Sequence, residues 1–174
     1  MLASECSPWY AIRVKSNREW VATQALRGKD YEVFLPVYRD ARYRNKQKRP
    51  VEVPVFSGYV FSRFDPARRL PILMTPAVVH IVGIGNVPQP VDPEEMASVF
   101  ELVKSGLPVA PHPYLKAGQK VKLEQGPLRG TTGTILEEAN GGKLVVSVSL
   151  LQRSIAVSVE PEWLGSTPIV QPEK

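Results

Sequence analysis

Apolar and polar residues alternate along most of the C-terminal part of the chain. A period of two places every second side chain on the same face of an extended strand, so it predicts strands with one buried face. Asn140-Gly141-Gly142 is a strong hairpin turn between two of these runs. Because closure removes exposed edges, such short strands predict a small all-β barrel. The alternating positions are Val121 and Leu123, then Leu144, Val146, Val148 and Leu150, then Ile155, Val157 and Val159.

The N-terminal part mixes strand and helix patterns. Strands are predicted at Trp9–Val14 and over residues 51–64, which are rich in β-branched and aromatic side chains. Between them, Asn17 is predicted to cap a helix. Pro36 favours an edge strand, and Gly58 indicates a bulge or a close backbone approach. The apolar positions of the predicted helix are Val21, Ala22, Ala25 and Leu26.

Two Asp-Pro pairs predict further helix starts, because Asp caps a first turn and proline is tolerated at its first position. The helix after Asp65-Pro66 is kept short by two later prolines. The helix after Asp92-Pro93 has an apolar stripe at helical spacing and ends at Gly106. The stripe consists of Met96, Val99, Phe100 and Val103.

A domain boundary is predicted where three prolines interrupt all periodicity, over residues 107–117. The predicted fold class is therefore α+β. An N-terminal domain over residues 8–106 has an antiparallel sheet flanked by helices. A small all-β barrel over residues 118–166 follows the linker.

Composition is ordinary for a folded protein, with 43% hydrophobic and 22% charged residues among 174. No apolar run approaches the roughly 20 residues that span a bilayer, so no membrane contact is expected. The first residues lack the features of a secretion signal, and the single cysteine, Cys6, cannot form an internal disulfide. A cytoplasmic monomer is expected.

The net charge of +5 is concentrated in one stretch, Arg39 to Arg49, which reads RDARYRNKQKR. Six basic residues and one acid give these residues +5, so the rest of the chain sums to zero. A localised positive field attracts phosphate, which favours nearby nucleic acid. A solvated hairpin tip kept soluble by its charges is the alternative interpretation.

Two segments carry a family resemblance. In the C-terminal part, Gly118, Val121, Leu123, Gly126-Pro127-Leu128, Gly130 and Gly133 resemble the KOW motif of NusG-type factors and several ribosomal proteins. In the N-terminal part, the Trp9-Tyr10 pair and the segment VFSGYVF (residues 55–61) resemble the NusG N-terminal (NGN) domain, with serine where proline is usual. The order of the segments also agrees with the NusG family, which implies an NGN-like domain followed by an SH3-like KOW barrel.

Some departures resemble operon-specific members of the family, including RfaH and the antiterminators of polysaccharide operons. These are the K-S-x-x-E pattern from Lys15 to Glu19 and the FLP triplet over residues 34–36. RfaH can hold its C-terminal domain as a helical hairpin. Here the glycines between Gly126 and Gly142 and the valine–serine alternation predict strands instead.

The resemblance implies a transcription elongation factor that docks on the clamp helices of the RNA polymerase largest subunit and suppresses pausing or termination. An apolar surface patch suits this task, although an aromatic residue in a strand is also typical of a core. The candidate polymerase contacts are Trp9, Tyr10, Phe34, Pro36, Phe56 and Tyr59.

Non-template DNA and nascent RNA are the nucleic acids expected nearby. Their contacts would be non-specific and weakened by salt. For Asn17 a capping role competes with this one. The candidates are Lys15, Asn17, Arg18, Arg39, Arg42, Arg44, Lys46, Lys48 and Arg49.

The family's barrel surface reaches the small ribosomal subunit or a termination factor. Leu128 and Leu151 stand where aromatics are usual in the general factor, which puts those contacts in doubt because aromatics supply much interface energy. Arg153, after the tight turn, completes the candidate partner-binding set.

No catalytic group, metal site or cofactor is predicted. His80, His112 and Cys6 lack partners at ligand or catalytic spacing, and Gly83-Ile84-Gly85 lacks the rest of a phosphate-binding loop. A ribosome-associated KOW protein that binds ribosomal RNA is the main alternative. A small-molecule enzyme would require a pocket with perturbed titratable groups.

Overall fold

The computed structural model describes residues 7–44, 47–115, 118–138 and 141–164, with side chains described except at 41–44, 47–49, 137, 138 and 141. Short 3-10 turns lie at Pro66–Arg68, Ser149–Leu151 and Pro161–Trp163. The helices and strands are β1 (Trp9–Val14), α1 (Glu19–Arg27), β2 (Glu32–Phe34), β3 (Val37–Arg44), β4 (Gln47–Pro54), β5 (Tyr59–Arg63), α2 (Leu70–Leu73), β6 (Val78–Ile81), β7 (Gly83–Ile84), β8 (Val87–Pro88), α3 (Pro93–Lys104), β9 (Val109–His112), β10 (Gln119–Lys122), β11 (Thr132–Glu138), β12 (Gly141–Val148) and β13 (Arg153–Val159). This mixture agrees with the predicted α+β class.

The described chain divides into two compact units, and neither is continuous in sequence. The first contains residues 7–36 and 56–93, and the second contains residues 37–55 and 94–164. Helix α3 and the β3–β4 hairpin therefore group with the C-terminal strands. The sequence analysis predicted two continuous domains, residues 8–106 and 118–166. That these two segments fold independently stays a prediction.

The first unit is built on a four-stranded antiparallel sheet in the order β2-β5-β1-β6. The strand predicted at Trp9–Val14 is confirmed as β1, and it is central, so five of its six residues are buried. Helix α1 contributes the fully buried Ala22 and Leu26. Strand β2 forms one edge of the sheet, and Pro36 lies two residues after it. An edge suits proline, which has no backbone N–H to donate to a neighbouring strand.

Helix α1 begins one residue later than predicted, and Asn17 does not cap it. The N-cap residue is Arg18, whose side chain makes no capping hydrogen bond. Asn17 instead has φ of 59° in the turn closed by the Arg18 amide and the Lys15 carbonyl. Asparagine tolerates this left-handed conformation better than most residues. The capping prediction was wrong because the turn requires a left-handed backbone at this position, and Asn17 supplies it.

The predicted helix starts at the Asp-Pro pairs are confirmed. The Asp65 carboxylate accepts a hydrogen bond from the Ala67 amide at 2.9 Å, and α3 begins at Pro93. Pro71 lies in α2, which is only four residues long. The buried stripe of α3 is shifted from the prediction, since Phe100 and Val103 are only half-buried. Its buried residues are Met96, Ser98, Val99 and Leu102.

The second unit contains a five-stranded antiparallel sheet in the order β10-β11-β12-β13-β9, which confirms the prediction of strands in the C-terminal part. Strand β9 lies inside the range predicted to be a linker, where its Pro111 obscured the strand pattern. It pairs only along β13 and forms an edge, where proline is tolerated. Ser147 and Ser154 are cross-strand partners whose hydroxyl oxygens lie 2.7 Å apart. The Ser147 hydroxyl donates to the Leu115 carbonyl, and the Ser154 hydroxyl accepts from the Leu115 amide. These bonds hold the chain that follows β9.

The basic stretch lies within a β-hairpin. Strands β3 and β4 pair in register from Val37 opposite Pro54 to Arg44 opposite Gln47. Among the described residues, no helix is long and apolar enough to cross a membrane.

Candidate functional site

A buried hydrogen bond positions the loop that leads into β5. Glu19, at the start of α1, is 4% exposed, and its Oε1 accepts the backbone amide of Gly58 at 2.8 Å. Gly58 has φ of +82°, and a Cβ added there would lie 2.3 Å from Nη1 of Arg13. The close backbone approach predicted at Gly58 is therefore confirmed, and only glycine fits it without strain.

Arg13 connects this loop to the sheet. Its Nη1 donates to the Gly58 carbonyl at 3.5 Å, and its guanidinium lies 4.8 Å from the ring centroid of Tyr59. The register pairs Arg13 with Tyr59 on one side and with His80 on the other. Directly opposite residues share a face of the sheet. Tyr59, Arg13 and His80 thus form a row across three strands.

The same face of the sheet carries a chain of aromatic rings. Phe61 is the hub: its ring centroid lies 5.8 Å from that of Phe56 and 6.4 Å from that of Phe34. Phe34 in turn meets Trp9 edge-on at 6.4 Å. The guanidinium of Arg63 lies 4.9 Å from the centroid of Trp9. Edge-on pairs and cation–π contacts of this kind favour particular ring orientations. The rings of Trp9, Phe34, Phe61 and Phe56 form the aromatic row.

The structure brings most of the predicted polymerase contacts together, but it places them deeper than a surface patch requires. Trp9, Tyr10, Pro36 and Phe56 are buried, whereas Phe34 and Tyr59 are half-buried. Phe56 is only 1% exposed, so the expectation of an exposed ring there is wrong. Its ring is a core element because it packs edge-on against Phe61.

Tyr10 lies on the opposite face of β1 from its neighbour Trp9, as alternation along a strand requires. Its ring centroid is 4.7 Å from that of Phe64. Burial raises the pKa of Tyr10, and the nearby carboxylate of Asp65 raises it further. Its neutral phenol belongs to the interior of the first unit.

Sequence reasoning missed the most exposed apolar residues of the first unit. Ile84 and Val87 are 75% and 63% exposed in the β7–β8 hairpin, whose turn contains Gly85 with φ of +59°. The Gly85-Asn86 pair between two apolar residues was the available signal. Leu70 and Met74, at the two ends of α2, are also exposed.

The predicted nucleic-acid contacts are described only in part. Lys15, Asn17, Arg18 and Arg39 are exposed. The backbone register places Arg42 opposite Arg49. Lys46 lies outside the described residues, and so do the side chains of Arg42, Arg44, Lys48 and Arg49.

The three candidate partner-binding residues of the second unit differ in exposure. Leu128 is fully buried and Leu151 nearly so, while Arg153 is exposed. The two leucines are therefore core residues, which corrects the expectation that they face a partner. Trp163 covers the nearby Gly126 turn, because a Cβ on Gly126 would lie 2.7 Å from its indole.

Titratable side chains do not converge on a metal site in the described part of the chain, where no group of three His, Cys, Asp or Glu residues could hold an ion. His80 is exposed, and Nδ1 of His112 lies 2.8 Å from the Pro113 carbonyl. Cys6 lies outside the described residues.

Comparison with known proteins gives consistent matches. Residues 7–100 match the family described as "Transcription termination factor nusG". The transcription termination/antitermination protein NusG of Thermus thermophilus is 27% identical over 174 aligned residues, covering 87% of this chain and 94% of that protein. The protein of the same description from Vibrio parahaemolyticus is 29% identical, covering 87% and 91%. A solved structure of Thermotoga maritima NusG is similar in fold, with a TM-score of 0.54, 20% identity and coverage of 92% and 97%.

Proposed function

This chain belongs to the NusG family of transcription termination and antitermination factors, and we propose that it acts by binding RNA polymerase through its first unit. The protein is not an enzyme. Its contact would be with the clamp helices of the largest subunit, which the family resemblance implies. By bridging the DNA channel it would hold the clamp closed and so modulate pausing and termination.

The observation that carries this proposal is the exposed pair Ile84 and Val87 in the β7–β8 hairpin. Desolvating large apolar side chains against a partner supplies much of the affinity of an interface. The half-buried Phe34 and Tyr59 are the ring contacts of the proposal. Of the other predicted contacts, Trp9 and Phe56 support the aromatic row, while Tyr10 and Pro36 are buried.

The hairpin that bears Ile84 and Val87 is anchored to the sheet beneath it. The Val82 amide donates to the Ala11 carbonyl at 2.9 Å, and the Val91 amide donates to the Trp9 carbonyl at 2.8 Å. Both bonds end on β1, the central strand that also carries Trp9 and Arg13. A partner that engages the hairpin would therefore meet a surface held in place before binding, which lowers the entropic cost of association.

Nucleic acid would approach the exposed cations Lys15, Arg18 and Arg39 and the neutral amide of Asn17. The basic stretch Arg39 to Arg49 carries a net charge of +5, and non-template DNA or nascent RNA would supply the phosphates that such a localised positive field attracts.

The second unit would recruit a further partner, either the small ribosomal subunit or a termination factor. Arg153 is the remaining exposed candidate, since Leu128 and Leu151 are buried. We also propose that residues 8–106 and 118–166 belong to separate domains, and that β9 folds with the second because it pairs with β13. Limited proteolysis that cuts first between Lys104 and Val109 would support this division.

Operon specificity is the finer part of the proposal. It rests on the K-S-x-x-E pattern from Lys15 to Glu19 and on the FLP triplet over residues 34–36. Genome-wide occupancy measures this directly: signal on one operon supports a dedicated factor, and signal on all transcribed genes contradicts it.

Association with purified core polymerase tests the main proposal. Ile84→Ser and Tyr59→Ala should each weaken binding about tenfold, as expected when a contact worth ~1–2 kcal/mol is lost. Val51→Ser, at an exposed apolar position of the second unit, is the matched control and should bind like the wild type. Wild-type protein that ignores polymerase, or recovery of ribosomal RNA alone from lysate, would favour the ribosome-associated alternative.

A further inference from the structure

A cavity of about 440 Å³ lies within the second unit, where α3 faces β10 and the turn that follows β10. Glu94 and Glu101 line it from α3, Lys120 and Lys122 line it from β10, and Thr131 lines it from the turn. This volume is within the range of sites that bind small molecules. The cavity shares no residue with the proposed polymerase contact, which belongs to the first unit.

Opposite charges line the two walls of this cavity. Glu94 and Glu101 are seven residues apart on α3, so they lie on one face of the helix. Lys120 and Lys122 are two residues apart on β10, so they lie on one face of the strand. The formal charges of the two carboxylates and the two ammonium groups sum to zero. Such walls favour a ligand that carries one charge of each sign, and they disfavour an ion of a single sign.

The hydroxyl group of Thr131 is buried without a hydrogen-bond partner. Thr131 is only 2% exposed, and its Oγ1 has no partner among the described residues. The backbone of Thr131 is fixed, because its amide donates to the Leu128 carbonyl and its carbonyl accepts from the Leu123 amide, both at 3.0 Å. Folded proteins leave few buried polar groups unpaired, since each one is costly. A polar ligand in the cavity would supply the missing partner.

The glycine turn beside Thr131 does not have the form of a phosphate site. Phosphate-binding turns aim free backbone amides at the anion. Here the Gly130 amide donates to the Leu123 carbonyl at 2.7 Å, and the Thr131 amide is already bonded to Leu128. Together with the carboxylates of the α3 wall, these bonds disfavour a nucleotide or a free phosphate as the occupant.

We propose that this cavity binds a small zwitterion, namely a free amino acid or a dipeptide. The carboxylate of the ligand lies between the Lys122 ammonium group and the Thr131 hydroxyl, and the amino group of the ligand lies against Glu101. Charge-assisted hydrogen bonds of this kind are stronger than neutral ones. The site is separate from the polymerase contact, so the inference does not depend on the proposed function.

Helix α3 is joined to the sheet that forms the other wall of the cavity. One carboxylate oxygen of Glu95 accepts the Ser149 amide at 3.0 Å, and the other accepts the Ser149 hydroxyl. Ser149 directly follows β12, which belongs to the same sheet as β10. This contact limits the movement of α3 against the sheet, so less entropy is lost when a ligand binds.

Titration of the full-length protein tests the proposal, with binding followed by NMR at the backbone amides around the cavity. The probes are the proteinogenic amino acids and their glycyl dipeptides. At least one should bind and shift the amide signals of Thr131 and of Ala97, which lines the cavity from α3. Acetylating the amino group of that ligand, or amidating its carboxyl group, should each weaken binding by about tenfold, because one ligand charge is lost.

Variants of the cavity assign the contacts. Lys122→Gln and Glu101→Gln should each weaken binding about tenfold. Lys104→Gln, at an exposed lysine of α3 that does not line the cavity, is the matched control and should bind like the wild type. Thr131→Val should also weaken binding. The unliganded Thr131→Val protein should nevertheless be at least as stable in urea as the wild type, because the hydroxyl it loses had no partner.

Three results would overturn the proposal. The first is that none of the zwitterions binds at millimolar concentration. The second is a nucleoside monophosphate that binds more tightly than every zwitterion and loses affinity in Lys122→Gln, which would make the cavity an anion site. The third is a Thr131→Val protein that is less stable than the wild type but keeps its ligand affinity, because the hydroxyl would then serve the fold alone.

Discussion

The carboxylate of Glu19 accepts a hydrogen bond from the backbone amide of Gly58, 39 residues away, at 2.8 Å. This bond joins the first turn of α1 to the loop in front of β5. The same loop carries Phe56 at one end and Tyr59 at the other, and the Tyr59 amide donates to the Phe56 carbonyl at 3.0 Å. The start of α1 and the aromatic row are consequently held in one arrangement.

Replacing Glu19 with alanine should destabilise the protein by about 1–3 kcal/mol, because the buried Gly58 amide would lose its partner. The measurement is the free energy of unfolding in urea. Glu19→Gln is the control, since its amide oxygen can still accept the bond, and it should retain most of the stability. Equal losses in the two variants would show that the hydrogen bond is not the cause.

Replacing Gly58 with alanine should cost about 2 kcal/mol or more, because the new Cβ combines a left-handed backbone with a clash against Arg13. Gly85→Ala is the matched comparison: its φ is also positive, but nothing lies within 4 Å of the added Cβ. It should cost only roughly 1 kcal/mol. Thermal unfolding of both variants compares the two costs, and a Gly85 variant as unstable as the Gly58 variant contradicts the clash.

The turn at Gly126 should depend on Trp163 in the same way. Gly126→Ala should be more destabilising than Gly130→Ala, because φ is +77° and +88° at the two positions but only the first Cβ meets an indole. In a Trp163→Ala background the difference should shrink, and a double-mutant cycle measures this coupling. If the losses of stability caused by Gly126→Ala and Trp163→Ala are additive, the indole moves aside freely.

Stability should fall above pH 10 in a way that depends on Tyr10. Its pKa is raised from the ordinary 10.0 by burial and by Asp65, so the folded state holds the proton more tightly than the unfolded state. The stabilisation is fully present below pH 10 and is lost as the pH rises through the folded-state pKa. Urea unfolding across alkaline pH should show a shallower decline for Tyr10→Phe than for the wild type. If the free energy of unfolding falls with pH equally in the two proteins, Tyr10 is not the cause of the decline.

Local signals predicted much of the fold. Each Asp-Pro pair specifies a helix start locally, through the aspartate side chain and the proline ring. Alternating valines specify strands in the same local way. Strand β9 was missed because Pro111 reads as a breaker unless the edge position of that strand is known. Asn17 was misassigned because a cap and a left-handed turn residue favour the same amino acid.

The candidate site was harder to predict because exposure depends on distant neighbours. Trp9 and Phe34 were correctly grouped by their aromatic character, yet nothing in the sequence around Phe56 shows that Phe61 covers its ring. Ile84 and Val87 belong to strands of two residues each, which are too short to produce a period. Glu19 was read as part of a family pattern, whereas its role is visible only once Gly58 is beside it.

Strand β9 has a consequence for how the C-terminal part could be exchanged between related proteins. A recombination junction placed at Gly118 would leave β9 behind and expose the outer edge of β13 from Ser154 to Val157. Such an open row of amides and carbonyls invites pairing with a second chain. Inheritance of a functional C-terminal module should thus require a crossover upstream of Val109, even though the recognisable motif begins later.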